Sequence, residues 1–150
     1  HPPPKKRPVP VFLMTWAYRR PVKKSEDLGT VEHFTELLRK GYRRYADVLD
    51  EACGAKRWAR VAPVGLAFCH LYETDRVLWE KLFYRDDFHP SPHGTYLEAC
   101  VLYWTVFGVA PPMVRREDDV GALWARARRM TPPTEKQMSL PSLGECGRLW

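Results

Sequence analysis

One amphipathic segment, 30–54, lies between two short continuous apolar runs, 8–16 and 60–64, and that order constrains the fold more than any other feature of the chain. Within the segment Phe34, Leu37, Leu38, Tyr45, Val48, Leu49 and Ala52 recur at the three- and four-residue spacing of a helix. Glu36, Arg39, Lys40, Arg43, Arg44, Asp47 and Asp50 fall on the opposite face. Thr30 offers an N-cap oxygen, and Gly54 is a residue that can stop a helix in the left-handed conformation. The flanking runs carry β-branched and aromatic residues without alternation, the pattern of strands covered on both faces in a parallel sheet. Strand, amphipathic helix, strand predicts a βαβ unit, and hence the α/β class with a doubly wound arrangement.

Further along, helical spacing recurs over 66–72 and 76–83, followed by a polar loop over 84–91. Ser91 then offers an N-cap with Pro92 at the first helical position. Residues 95–109 are apolar on nearly every face, which predicts a largely buried helix ended by Pro111 and Pro112. A last helix is expected over 118–130, with Asp118 and Asp119 at its positive end and Arg126, Arg128 and Arg129 at its negative end. The organisation expected is a Pro-rich basic lead at 1–10, a partial domain at 11–110, a C-terminal helix within 111–130 and an extended tail at 131–150.

Composition narrows the function classes. With 45% hydrophobic and 28% charged residues, and 9 glycines against 14 prolines, the 150 residues are neither collagen-like, coiled-coil nor wholly disordered. The longest apolar run, 99–110, is broken by Thr105 and falls far short of the roughly 20 residues that a bilayer requires, so no membrane span is expected. The start at His1, with prolines at 2, 3, 4, 8 and 10, reads as a processed or fragmentary piece. Most of the net charge of +6 sits near the start: Lys5, Lys6, Arg7, Arg19, Arg20, Lys23 and Lys24 occur in 1–24 without an acid. Such a head reads first as a solvated linker, and as a functional tail it would suit an acidic protein surface. It has neither the interleaved aromatics nor the motifs of nucleic-acid binders, so no nucleic acid is expected as a partner. Cys53, Cys69, Cys100 and Cys146 form no C-x-x-C pair and have no histidine at zinc-finger spacing, so neither a metal nor another cofactor is expected. Cys69 and Cys100, set among apolar residues, read as buried thiols and point to a reducing compartment such as the cytoplasm.

The chemistry concentrates where the polar loop meets the apolar helix. His89 follows Asp86 by three residues. A carboxylate that fixes one ring nitrogen leaves the other free to take a proton from a hydroxyl. Pro90 restricts His89 to an extended backbone, which aims the ring. The surrounding pattern is D-x-x-H-P-S-x-x-G-x-Y-L-x-A-C-V. With Met14-Thr15-Trp16 after the first apolar run and Ala62-Pro63-Val64-Gly65-Leu66-Ala67 after the second, it resembles the C-terminal half of the SGNH (GDSL-type) hydrolases over about residues 9–110.

The resemblance implies a flavodoxin-like three-layer α/β/α fold and ester cleavage by a serine nucleophile with an Asp-x-x-His pair, on carbohydrate or lipid substrates. It gives His89 the role of general base and Asp86 that of its orienting carboxylate; Asp87 has the wrong spacing. Thr15, Trp16 and Tyr18, at the carboxyl end of the first strand, are candidates to line the ligand crevice, with core packing the equal alternative for Trp16 and Tyr18. In that superfamily the serine and the oxyanion-hole Gly and Asn come from earlier sequence blocks, and neither block occurs in these 150 residues. None of Ser25, Ser91, Ser139 and Ser142 has a Gly-Asp-Ser or Gly-Asn-Ser context, and Ser91 reads as a helix cap. The expectation is therefore the C-terminal part of an SGNH-type serine esterase, inactive as this chain alone and completed by a partner or by an N-terminal half. The alternative is a non-catalytic structural or adaptor subunit of a larger assembly. His33 and His70 read as surface and helix histidines, and Pro90 and Pro92 keep His93 from forming a metal pair with His89. Trp58, Trp79, Trp104 and Trp124 read as core or interface aromatics.

Overall fold

Pro8 and Pro10 carry no backbone N–H, and the first apolar run becomes a strand only beyond them. The computed structural model describes residues 8–20 and 27–112. In it β1, Val11–Leu13, pairs in parallel with β2, Arg60–Ala62, with Phe12 opposite Val61. The Met14 N–H donates to the Ala62 carbonyl (2.9 Å) as the last rung, and Pro63 stops β2. The strand expected over 8–16 is thus three residues long, and residues 14–18 run on as irregular chain toward the 84–89 loop.

Helix α1, Val31–Ala52, connects the two strands, as its caps require. The Thr30 side chain accepts the His33 N–H (3.2 Å). At the other end Gly54, at φ +60°, and Ala55 return their N–H groups to the Glu51 and Asp50 carbonyls, the Schellman arrangement. The buried face differs from the expected one. Thr35, Ala46 and Asp50 are buried, whereas Leu37, Tyr45 and Val48 are exposed. Small side chains at 35 and 46 let α1 lie close, and Asp50 is drawn inward because its carboxylate accepts the buried Ala59 N–H (2.8 Å).

After β2 the chain turns straight into α2, Val64–Thr74, and then α3, Arg76–Glu80, whose first turn is capped by the Asp75 carboxylate (3.1 Å to the Leu78 N–H). A Cβ on Gly65 would lie 2.1 Å from the Thr15 carbonyl oxygen, so only glycine lets α2 start against the end of the first strand segment. Val64, Phe68, Leu71, Trp79, Leu82, Phe83 and Leu97 form the core. Each such large side chain contributes about 1.5–3 kcal/mol by leaving water. Trp16 stacks on Phe68 (centroids 4.6 Å apart), tying the segment after β1 to this core.

The final described helix, α4, Pro92–Phe107, begins at Ser91 as expected. It stops at Gly108, at φ +70°, ahead of Pro111 and Pro112. The expectation of a largely buried helix fails in its second half. Gly94, Leu97 and Cys100 are buried, but Val106, Phe107 and Val109 are exposed, because α2 and β2 cover only part of this all-round apolar helix. Among the described residues the architecture is mixed α/β, mostly helical, around one two-stranded parallel sheet. No helix among the described residues is long and apolar enough to cross a membrane. The helix expected over 118–130, the tail, Trp124 and Cys146 lie outside the described residues.

Candidate functional site

The loop that follows α3 is closed at its neck by backbone pairing. Tyr84 N–H donates to the His89 carbonyl (2.9 Å) and Ser91 N–H to the Leu82 carbonyl (2.8 Å), with Phe83 opposite Pro90 in an antiparallel bridge. His89 therefore stands at the root of a short hairpin and Asp86 near its tip. Gly94 supports the neck from below: a Cβ there would meet the Leu82 carbonyl oxygen at 2.3 Å. Ser91 completes the joint. Its hydroxyl donates to the Lys81 carbonyl (2.5 Å) and accepts the His93 and Gly94 N–H groups (3.1 and 3.3 Å), so its polar valences are committed to the α4 cap.

Within this loop Asp86 holds His89 with both carboxylate oxygens. Oδ1 accepts the His89 and Phe88 backbone N–H groups (3.0 and 3.2 Å), and Oδ2 lies 2.6 Å from His89 Nδ1. The His89 ring hydrogen bond, with the two backbone N–H groups, holds the Asp86 carboxyl below its usual range. An ionised carboxylate only accepts, so the proton of the 2.6 Å contact belongs to Nδ1, and Nε2 is left as the basic nitrogen. The His89 side chain is 64% exposed, open to an incoming hydroxyl.

Two of the three residues expected in the crevice meet this loop. Trp16 Nε1 donates to the Phe88 carbonyl (3.0 Å), and the Tyr18 ring lies 5.8 Å from that of Phe88, which in turn contacts His89 (4.3 Å). Phe34 of α1 closes the cluster, edge-on to Tyr18 at 5.3 Å. Thr15 is exposed and turns instead to the Tyr42 hydroxyl of α1 (3.5 Å). Sequence reasoning missed Phe88 and Arg19. The Phe88 signal was present, an aromatic residue beside the histidine; Arg19 was hidden among the bases of the N-terminal head.

The remaining candidates fall elsewhere. Asp87, set aside on spacing, ion-pairs with Arg19. His33 is exposed on α1, and His70 is half-buried on α2, where burial lowers its basicity. Trp79 is buried, whereas Trp58 and Trp104 are half-buried. Cys53, Cys69 and Cys100 are outside any disulfide, and burial pushes the Cys100 thiol up to about 11. Among the described residues no group of three or more His, Cys, Asp or Glu side chains is arranged to hold a metal ion.

No protein-family model matches the chain, and no curated protein or solved structure matches it.

Proposed function

We propose that these residues are the C-terminal part of an SGNH-type serine esterase with a flavodoxin-like α/β/α fold, in which His89 is the general base and Asp86 orients it. The observation that carries the reading is the two-oxygen grip of Asp86 on His89, 2.6 Å at Nδ1 and 3.0 Å at the backbone N–H, which sets the tautomer and exposes Nε2. In the reaction Nε2 takes the proton of a serine hydroxyl as its oxygen attacks the ester carbonyl, and returns it to the departing alcohol oxygen. Asp86 stays ionised throughout and stabilises the transient imidazolium. Phe88 lies against the His89 ring (4.3 Å), Tyr18 lies against Phe88 (5.8 Å), and Trp16 fastens the loop through the Phe88 carbonyl (3.0 Å). Ser91, the one serine among the described residues, is spent on capping and Thr15 faces α1, so this reading takes the nucleophile and the oxyanion donors from outside the described residues.

The test is the intact mass of the protein isolated from its source, before and after a fluorophosphonate probe. One adduct is expected, with p-nitrophenyl acetate turnover lost in His89→Ala by about a hundredfold or more. Undiminished turnover in His89→Ala removes the catalytic assignment. The absence of an adduct on a folded, partner-bound protein favours the second reading, a non-catalytic subunit. The exposed Leu37, Tyr45 and Val48 of α1 support that reading by offering an apolar surface to an assembly.

A further inference from the structure

We infer that Arg19 is the positioning residue of this site, fixing the loop that lets Asp86 clamp His89. As a statement about catalysis this rests on the esterase reading; as a statement about the dyad it does not. One guanidinium reaches three separated points of the loop that bears the dyad. Nε donates to the Asp87 carboxylate (2.6 Å), Nη1 to the Glu80 carbonyl at the end of α3 (2.9 Å) and Nη2 to the Tyr84 carbonyl (3.0 Å). The Arg19 backbone N–H donates to the Asp87 carbonyl (2.8 Å), so residue 87 is held by both main chain and side chain. Asp87 sits at φ +68°, in the left-handed region that aspartate enters more readily than most residues, and the Arg19 contacts hold it at both main chain and side chain. That turn presents Asp86 on one side of it to Phe88 and His89 on the other.

The fork geometry is essential to the argument. Five N–H donors in a rigid plane can serve Glu80, Tyr84 and Asp87 together, whereas a lysine ammonium is a single point on a flexible stem. The Arg19 side chain is 15% exposed and that of Asp87 19%, so water competes little for the pair. Glu80 adds its carboxylate at 3.6 Å, and Arg20 lies 4.0 Å from Asp87 on the open side. Arg19 touches neither His89 nor Asp86, and acts through the backbone between them.

The experiment reads the dyad itself. Nitrogen-15 NMR of the His89 ring at about pH 8.5, above the ordinary imidazole range, reports which nitrogen carries the proton. In the unaltered chain the Nδ1–H form is expected to predominate, against the Nε2–H form that a free imidazole favours. In Arg19→Ala it should fall to the minor form, and Arg19→Lys should be equally defective. Full restoration by lysine would overturn the fork argument. If Arg19→Ala does not fold, Asp87→Gly decides, since it tolerates the positive φ and removes the carboxylate. An unchanged His89 tautomer in either folded variant overturns the inference. A tautomer lost in Arg19→Ala, in a protein that takes no fluorophosphonate adduct, leaves the positioning role standing and removes only the esterase reading. Where ester turnover is measurable, kcat should fall about tenfold or more with KM little changed.

Discussion

Asp86 and His89 show how far three residues of spacing determine a site. An aspartate whose Oδ1 accepts N–H groups two and three residues on makes a local turn, and that turn brings its Oδ2 to the ring of the same third residue. The pair is thus built from local geometry, which is why it was legible from sequence. Its protonation follows. The His89 hydrogen bond lowers the Asp86 carboxyl, and a carboxylate whose folded value is depressed contributes stability that is present above its unfolded value. That contribution is lost only as pH falls through the lower, folded value. The clamp should therefore persist through the ordinary aspartate range and open only at lower pH. A carbon-13 titration of the Asp86 carboxyl is expected to give a midpoint below about 3.9. His89→Ala should move it back up. A midpoint at or above the ordinary value, or one indifferent to His89, would contradict the grip. Because the carboxylate is open to solvent, the effect on global stability should be small. Arg19 was not legible in the same way, because its partners lie more than sixty positions away.

Between elements, the joints matter more than the elements. The termini of α1 and the start of α4 were readable because caps are local: Thr30, Gly54 and Ser91 each satisfy or release the backbone of their own helix end. The lateral orientation was not readable. The sequence offers α1 an apolar stripe wider than its neighbours cover, and the choice of Thr35, Ala46 and Asp50 for the buried side depends on how closely α2 approaches and on the Ala59 N–H. The same reason leaves the end of α4 uncovered. The joint between the hairpin neck and α4 is where a small change should do most. Gly94→Ala pushes a methyl group to 2.3 Å from the Leu82 carbonyl oxygen, and backbone cannot swing aside as a side chain would. A cost of about 1–3 kcal/mol is expected. Ser91→Ala removes the cap and the hydrogen bond to the Lys81 carbonyl, for about 1–2 kcal/mol. Urea denaturation of both variants checks this; a Gly94→Ala midpoint equal to that of the parent would mean that α4 can retreat from the neck without loss.

At the scale of the molecule, the described residues carry a parallel sheet of only two strands, whereas parallel sheets ordinarily hold more and are covered on both faces. The exposed large apolar residues include Leu37, Tyr45 and Val48 on α1 and Val106, Phe107 and Val109 at the end of α4, besides Val9, Val77, Tyr84 and Phe88. A surface of this kind suits a further layer supplied by a partner or by the rest of a longer protein. The bases of the N-terminal head are not equivalent. Arg19 is consumed by Asp87, Glu80 and Tyr84, whereas Arg20, 4.0 Å from Asp87, keeps a side chain that is 70% exposed. Residues 1–24 also include β1 and Met14, which is 1% exposed, so removing the whole head would take a strand and part of the core with it. If the head draws an acidic surface, the charges left for it are Lys5, Lys6 and Arg7, with Arg20, Lys23 and Lys24. Changing Lys5, Lys6 and Arg7 together to glutamine removes three charges behind the net +6 and leaves every described contact in place. Binding to polyglutamate, measured against sodium chloride concentration, should weaken, and its dependence on salt should flatten, while the urea midpoint stays unchanged. If the salt dependence is the same as that of the parent, the attraction comes from the folded surface and the lead contributes no part of it.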